Sequence, residues 1–242
     1  MSTTSSTSVP PPLPRTGSRV LDPLRRGVWL LPVAAAITGW ATFEHQPDTT
    51  SQFTDWSRFV TTDRFLASHL IGSIAGQAVW IVGAAAVAAL AVAAGRRVGV
   101  AIAGFVTMVL GSAGLIAGFG VAAFAQPAIG HLQLDGVAGA HAVYDDVYGI
   151  PTFATLIGGG LLFAAATVLL ARAVASIDCV PRWATIALGI AGPLIGFLGV
   201  AIGSLQTVGS IAALVGSTAI AIALSSSRLL DRSSSVVHVT KP

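Results

Sequence analysis

Long apolar stretches alternate with short polar segments along almost the whole chain. Apart from their ends, these stretches carry no charged side chain, and most approach the ~20 apolar residues that a helix needs to cross a membrane. The region from Trp183 to Leu224 would measure roughly 63 Å as one helix, about twice a bilayer, so a hairpin at 203–206 is predicted to divide it. The pattern therefore predicts six spans, at approximately 27–43, 65–94, 98–125, 151–172, 183–203 and 207–224.

The polar segments between and beyond these spans predict two tails and two large loops. Residues 1–26 begin with a run rich in Ser, Thr and Pro. Such a run cannot bury enough apolar surface to order itself, so a disordered tail is predicted there. Residues 225–242 form a second polar tail. The longest segments between spans, 44–62 and 126–150, are predicted to be loops on the same face of the membrane.

The first large loop carries an amphipathic pattern. Phe53, Trp56 and Phe59 recur at helical spacing, which predicts a short helix with the three rings turned inward. We expect loops 44–62 and 126–150 to fold together as a small cap over one end of the bundle.

Basic residues fall almost entirely at one set of helix ends, and Arg58 and Arg64 are the two exceptions. Because cytoplasmic loops of membrane proteins carry an excess of Lys and Arg, both termini are predicted to be cytoplasmic and the two large loops to face outward. The predicted fold class is an all-α integral membrane protein, a six-transmembrane-helix bundle with N-in/C-in topology, in the plasma membrane. The basic residues at the predicted cytoplasmic ends are Arg15, Arg19, Arg25, Arg26, Arg96, Arg97, Arg172, Arg182, Arg228, Arg232 and Lys241.

The composition agrees with a chain surrounded by lipid. Hydrophobic residues make up 54% of the sequence and charged residues only 10%, against about 25% charged in ordinary globular domains. The net charge of +3 reflects arginines at helix ends, so it indicates topology and not nucleic-acid binding. Cys179 is the only cysteine, which excludes an intramolecular disulfide and CxxC motifs. The expected partners are the lipid bilayer and either a protein partner or a second copy of the chain, with no nucleic acid.

Glycines have two predicted roles. Gly136 and Gly139 are expected to break any helix that would run through the second large loop. Within the spans, small residues four apart allow close approach of helix backbones, either inside one bundle or, as the alternative, between two copies of the chain. The pairs with this spacing are Gly72/Gly76, Gly114/Gly118, Gly192/Gly196 and Gly199/Gly203.

Histidine and aspartate residues in the predicted outward segments have the spacing of metal ligands. Two His/Asp pairs are separated by four residues, which would place imidazole and carboxylate on one face of a helix. This combination suits a divalent transition metal such as Zn, and a hydrolytic centre needs about three such ligands. The favoured interpretation is that these groups bond one another in a hydrated loop and that no cofactor is bound, and the metal site is the alternative. The candidate metal ligands are His69, His131, His141, Asp135 and Asp145.

The deep parts of the predicted spans contain no ionisable residue. Ion-coupled transport normally needs such a residue, so it is disfavoured. The common nucleotide-binding, hydrolase and zinc-protease motifs are absent, so an enzyme is the less favoured interpretation. The favoured hypothesis is a non-enzymatic membrane protein whose outward cap binds a partner or ligand. The first alternative is a metal-binding protein or metal-dependent enzyme. The second is a facilitator for a neutral solute, which requires a cavity lined by Gln77, Thr107, Thr155 and Ser210.

Overall fold

The computed structural model describes residues 16–43, 46–199 and 202–226, with side chains from residue 21 onward. The described residues form helices and no strand. In chain order the helices are α1 Thr16–Val28, α2 Leu30–Ala41, α3 Phe53–Val60, α4 Asp63–Ala93, α5 Val98–Leu134, α6 Ala140–Val147, α7 Ile150–Val174, α8 Arg182–Leu198 and α9 Gly203–Ser226.

Four of these helices, α4, α5, α7 and α9, are long enough and apolar enough to cross a membrane. Helix α8 is apolar but shorter, and a break at Trp29 separates α1 from α2. Large apolar side chains such as Val82, Leu110, Leu161 and Ile211 point away from the bundle. The chain is therefore a helical protein of the membrane type, in which backbone polar groups are satisfied within helices and apolar side chains face outward.

The first predicted tail is shorter than expected. Residues 16–26 belong to α1, so the prediction of disorder through residue 26 is wrong for that part. Leu21 and Val28 are buried in the main core and Leu24 packs against it, which offsets the entropy of ordering the helix. The rest of the predicted tails, residues 1–15 and 227–242, lies outside the described residues.

Helix α5 continues past the point where the third span was predicted to end. Pro127 lies inside the helix, although its missing N–H removes one backbone hydrogen bond. The continuation is held by Ile129, which is buried against α3, and by Gly130, where an added Cβ would lie 2.8 Å from a methyl group of Val60. The loop predicted at 126–150 is therefore wrong for residues 126–134.

The helix break predicted in that loop is confirmed. Gly136 and Gly139 have φ values of +73° and +91°, a region that side chains with a Cβ rarely adopt. Helix α5 ends before them at Leu134, and α6 begins after them.

The hairpin between the last two helices comes earlier than predicted. Helix α9 already begins at Gly203, so residues 203–206 are helical and the prediction of a turn there is wrong. The helix α8 contains Pro193, switches to a π-helical turn at Leu194–Leu198 and ends there. Proline removes a hydrogen bond from the helix ladder and displaces the preceding turn, which explains the early end.

Six helices form a closed ring. Around the ring the order is α2, α4, α5, α7, α8 and α9, and α9 returns to α2. Close contacts at glycines hold neighbouring helices together: an added Cβ on Gly111 of α5 would lie 2.5 Å from the backbone nitrogen of Phe163 in α7. Similar contacts occur at Gly72, Gly76, Gly114, Gly118, Gly192 and Gly196, which confirms that these predicted small-residue positions pack helices within one chain. The predicted role of the pair Gly199/Gly203 is wrong for Gly203, because an added Cβ there would meet no atom within 4 Å.

The ring is filled differently along its length. Near the middle of the helices, Trp80 and Phe163 are buried in the main core with their rings 5.6 Å apart, and Met108 belongs to the same cluster. At one end, a second cluster of buried residues joins α3 to the last turns of α5: Trp56, Val60, Phe65 and Ile129. We call α3, α6 and residues 126–134 of α5 the cap, and this end of the bundle the cap end.

The predicted helix of the first large loop is confirmed as α3. Trp56 is fully buried, and Phe53 and Phe59 are half-buried against the second cluster. The expected contact between the two large loops is also observed, because Tyr144 of α6 packs against the same cluster.

Candidate functional site

Aromatic stacking assembles the cap. The Trp56 ring stacks on Phe53 at 5.0 Å and meets Tyr144 edge-on at 5.1 Å. Tyr144 in turn stacks on Tyr148 at 4.7 Å. Such pairs contribute about 0.5–1.5 kcal/mol each beyond the apolar area they bury, so α3 and α6 are joined by packing.

A chain of hydrogen bonds links the cap to the bundle. Gln46 Nε2 donates to Gln126 Oε1 at 2.9 Å, and Gln126 Nε2 donates to the Tyr148 hydroxyl at 2.5 Å. Burial raises the pKa of Tyr148 well above its usual value, so the phenol stays protonated and neutral. Three segments that are distant in sequence are thereby joined without any charge.

A tight turn precedes α3. The Asp48 carboxylate accepts hydrogen bonds from the hydroxyl of Thr50 at 2.6 Å and from the backbone N–H groups of Ser51 and Thr50. These bonds lower the pKa of Asp48 to about 2, the Thr50 hydroxyl contributing most. The exposed carboxylate therefore stays ionised and fixes the turn that leads into the cap.

The predicted metal ligands are placed in different surroundings. His141 Nδ1 lies 3.2 Å from Asp145 Oδ2, and His141 Nε2 lies 3.3 Å from the backbone oxygen of Thr49. The imidazole of His141 also packs on Phe53, with ring centroids 4.6 Å apart. This predicted His/Asp pair is in contact, on the exposed surface of the cap.

The other predicted pair is joined through the backbone, where Asp135 N donates to His131 O at 2.9 Å. His69 lies in α4, where its Nδ1 is 3.0 Å from Phe65 O. In the part of the chain that the structure describes, no three His, Cys, Asp or Glu side chains lie close enough together to hold one metal ion. The five-residue metal site stays a prediction.

A cavity of about 690 Å³ lies between the helices beneath the cap. This volume falls within the 300–1,000 Å³ that is usual for small-molecule sites. Among the described residues that line it there is no Asp, Glu, Lys or Arg. Phe59 of the cap and Gln46 lie at its cap end, and Gln77 and Ser210 line it deeper in the bundle.

The cavity has two chemically different walls. We call the side formed by α2, α4 and α9 the polar wall and the side formed by α5, α7 and α8 the apolar wall; each is a continuous arc of the helix ring. The polar wall includes Thr38, Thr42, Ser73, Gln77, Gln206 and Thr207. The apolar wall includes Leu115, Phe119, Phe153, Leu156 and Ile195.

Part of the polar wall is satisfied within the protein. The hydroxyls of Thr42 and Thr207 lie 3.1 Å apart and join α2 to α9. Thr38 and Ser210 donate to backbone oxygens of their own helices, at 2.8 and 2.9 Å. These hydroxyls are therefore largely committed to the helices that carry them.

The two glutamines of the polar wall have spare hydrogen-bonding capacity. Ser112 Oγ donates to Gln77 Oε1 at 3.0 Å, while no described residue accepts a hydrogen bond from Gln77 Nε2. The Gln206 side chain makes no hydrogen bond to any described residue. Gln77 is buried, and an amide group away from water loses free energy when it is unpaired, so a partner in the cavity would stabilise Gln77.

Two π-helical segments line the cavity. Ser68–Ala75 of α4 contributes His69, Gly72 and Ser73, and Leu194–Leu198 of α8 contributes Ile195 and Gly196. A π-helical turn holds one more residue than an α-helical turn, and such turns are frequent at functional sites. Here they occur on both walls.

The sequence-based expectation of the cavity lining was correct in part. Gln77 and Ser210 line the cavity, whereas Thr107 and Thr155 do not. Thr155 is exposed and donates to Pro151 O in its own helix. Comparison with protein-family models, with characterised proteins and with solved structures finds no match. The function must therefore be inferred from the cavity and the cap.

Proposed function

We propose that the chain is a non-enzymatic, multi-span membrane protein that binds an uncharged small molecule in the cavity beneath its cap. The observation that carries this proposal is the lining of a cavity of about 690 Å³. Its described residues include no Asp, Glu, Lys or Arg, and His69 is the ionisable side chain among them. Its polar wall carries two glutamines, Gln77 and Gln206, that have unused hydrogen-bonding capacity. The cap would then act as the structure that frames the entrance.

The absence of a fixed charge in the described lining argues for an uncharged ligand. Moving an ionised group from water into a site of low polarity costs far more than moving a hydroxyl or an amide, unless a counter-charge is present. Glutamine, serine and threonine side chains offer both donors and acceptors. They suit carbonyl, hydroxyl and amide groups of a neutral molecule.

The inner end of the cavity argues for binding and not for an open pore. Beyond Gln77, one turn further along α4, Trp80 packs against Phe163 with both rings buried. A facilitator for a neutral solute would have to separate these rings to complete a path. A ligand held on the cap side of this ring pair requires no such movement.

Accessibility of the cavity can be tested with thiol reagents of one chemical family. In a Cys179→Ser background, Ser73→Cys places a thiol on the polar wall. We expect uncharged methyl methanethiosulfonate to modify it readily, and the sulfonatoethyl and trimethylammonium-ethyl reagents to react at least about tenfold more slowly, because charge is excluded. Mass spectrometry of the purified protein measures the rates.

Two control variants calibrate this experiment. Asp146→Cys lies on the exposed surface of the cap and should react with all three reagents. Ala166→Cys is fully buried and should react with none. If Ser73→Cys reacted equally with charged and uncharged reagents, or resembled the buried control, the proposal would be wrong.

We also propose that the ring forms six spans, with both termini cytoplasmic and the cap outside the plasma membrane. Arg96 of the α4–α5 turn lies 3.3 Å from Asp178 of the α7–α8 link, and Trp29 donates to Ser225, so these segments share the end opposite the cap. Most of the arginines lie at this end, as the positive-inside rule requires of a cytoplasmic face.

Reporter fusions test this orientation. Green fluorescent protein fused after residue 242 should fluoresce, and alkaline phosphatase fused after residue 138 should be active, because only a translocated phosphatase folds into its active form. Active phosphatase fused after residue 97 would contradict the assignment.

A further inference from the structure

The two walls of the cavity identify the class of ligand more closely. Resting on the proposed function, we propose that the ligand is an uncharged amphiphile: a molecule with a hydroxyl- or carbonyl-bearing head that contacts the polar wall and an aliphatic or ring portion that contacts the apolar wall. A uniformly polar solute such as a free polyol would leave one of the two walls without a matching partner.

The segregation of the walls carries this inference. The polar wall is continuous because α2 contacts both α4 and α9, and the apolar wall is continuous because α7 contacts both α5 and α8. Phe119, Phe153 and Leu156 present only apolar atoms to the cavity. A polar group placed against them would lose its hydrogen bonds to water without replacement, which costs about 1–3 kcal/mol for each group.

The head of the ligand is defined by the unused groups of the polar wall. Gln77 Nε2 offers donors, while Gln206 offers donors and an acceptor. Together they match a head with at least one acceptor and one donor, such as a glycerol monoether or a long-chain alcohol with a second oxygen.

Protection of a cavity thiol tests the proposal with a matched set of compounds. Ser73→Cys in the Cys179→Ser background is modified with methyl methanethiosulfonate in the presence of decylglycerol, glycerol or decanoate. Glycerol has the head without the tail, and decanoate has a tail of the same length with a charge. We expect decylglycerol to slow the modification saturably by at least about tenfold, and glycerol and decanoate to have little effect.

Variants of each wall locate the bound molecule. Gln206→Leu removes hydrogen-bonding groups from the polar wall, and Phe153→Ser removes a ring from the apolar wall. Both should weaken the protection by about threefold to tenfold, because losing one hydrogen bond or one apolar contact lowers the binding affinity by about that factor. Their controls, Thr155→Val and Ile157→Ser, alter exposed side chains outside this cavity and should leave the protection unchanged.

The outcomes separate this inference from the proposed function. If glycerol protected Ser73→Cys as well as decylglycerol did, and Phe153→Ser had no effect, the amphiphile would be wrong while an uncharged ligand would still be supported. Equal protection of the surface variant Asp146→Cys would show a general effect of decylglycerol on the lipid and overturn the inference. Absence of protection by decylglycerol, with Ser73→Cys still accessible, would also overturn it.

Discussion

Gly160 of α7 and Gly196 of α8 show what the closest helix contacts demand of single residues. A Cβ added to Gly160 would overlap the backbone oxygen of Gly196, and a Cβ added to Gly196 would lie 2.6 Å from the backbone oxygen of Gly160. Both contacts are made by backbone atoms, which move only together with their helix, so neither α7 nor α8 can relieve the overlap by a local shift. We therefore expect Gly160→Ala to lower the free energy of unfolding by about 1–3 kcal/mol, measured as a lower thermal unfolding midpoint in detergent.

Gly158→Ala is the matched control for this prediction. It lies two residues earlier in the same helix, where an added Cβ would meet no atom within 4 Å. Because alanine favours a helix over glycine by about 1 kcal/mol, its midpoint should be equal to or higher than that of the wild type. A similar loss in both variants would contradict a specific contact at Gly160.

The residues of the cavity show where prediction from sequence succeeds and fails. Gln77, Thr107, Thr155 and Ser210 were all identifiable as polar residues within apolar stretches, yet only the first and last line the cavity. A membrane helix is apolar on all sides, so its sequence lacks the contrast between faces that marks the inner side of a helix in water. The depth of a polar residue along a membrane helix is thus predictable from the sequence, whereas the side of the helix on which it faces the cavity is not.

Individual helices differ from their predicted bounds for local reasons. The third span was predicted to end at residue 125, but α5 continues through Pro127, because its continuation packs against α3 and outweighs the hydrogen bond that the proline removes. The π-helical turn at Ser68–Ala75 has no proline or other sequence mark. Such a turn depends on tertiary contacts, and here it brings His69 and Ser73 to the cavity.

Helix α3 depends on one side chain for its position. Trp56 is fully buried and packs on rings from α3 and α6, so Trp56→Ala removes a large apolar surface from the cap. We expect a loss of about 3–5 kcal/mol in local stability. Hydrogen exchange should accelerate in α3 and α6, while α7 and α9 keep their protection, because the main core is a separate cluster.

Trp183→Ala is the control for the cap variant. Trp183 is 54% exposed at the opposite end of the bundle, so its truncation should leave exchange in α3 and α6 unchanged. Faster exchange throughout the bundle after Trp56→Ala would contradict a separately packed cap. An unchanged cap would show that Trp56 does not hold α3 in place.

In the whole molecule, the region formed by α1 and α2 and the shorter helix α8 both belong to the helix bundle. An added Cβ on Gly27 of α1 would lie 2.8 Å from Cβ of Ala86, and one on Gly72 would lie 2.5 Å from Cβ of Ala41 in α2. The region formed by α1 and α2 therefore runs antiparallel to α4 over about 20 Å, at 1.5 Å per residue. Helix α8 likewise contacts α9 near Ala184 at one end and near Leu194 at the other.

The position of α8 in the ring predicts a disulfide that a peripheral helix would not form. A Cβ on Gly189 would lie 3.5 Å from Cβ of Ala171 in α7, within the separation of about 3.5–4.5 Å found in disulfides. In the Cys179→Ser background, Gly189→Cys with Ala171→Cys should oxidise to an intramolecular disulfide, detected by mass spectrometry of the monomer. Pairing Gly189→Cys with Val168→Cys, whose side chain is exposed on α7, should not. Equal oxidation of both pairs, or of neither, would contradict the position of α8 between α7 and α9, and with it the ring of six helices.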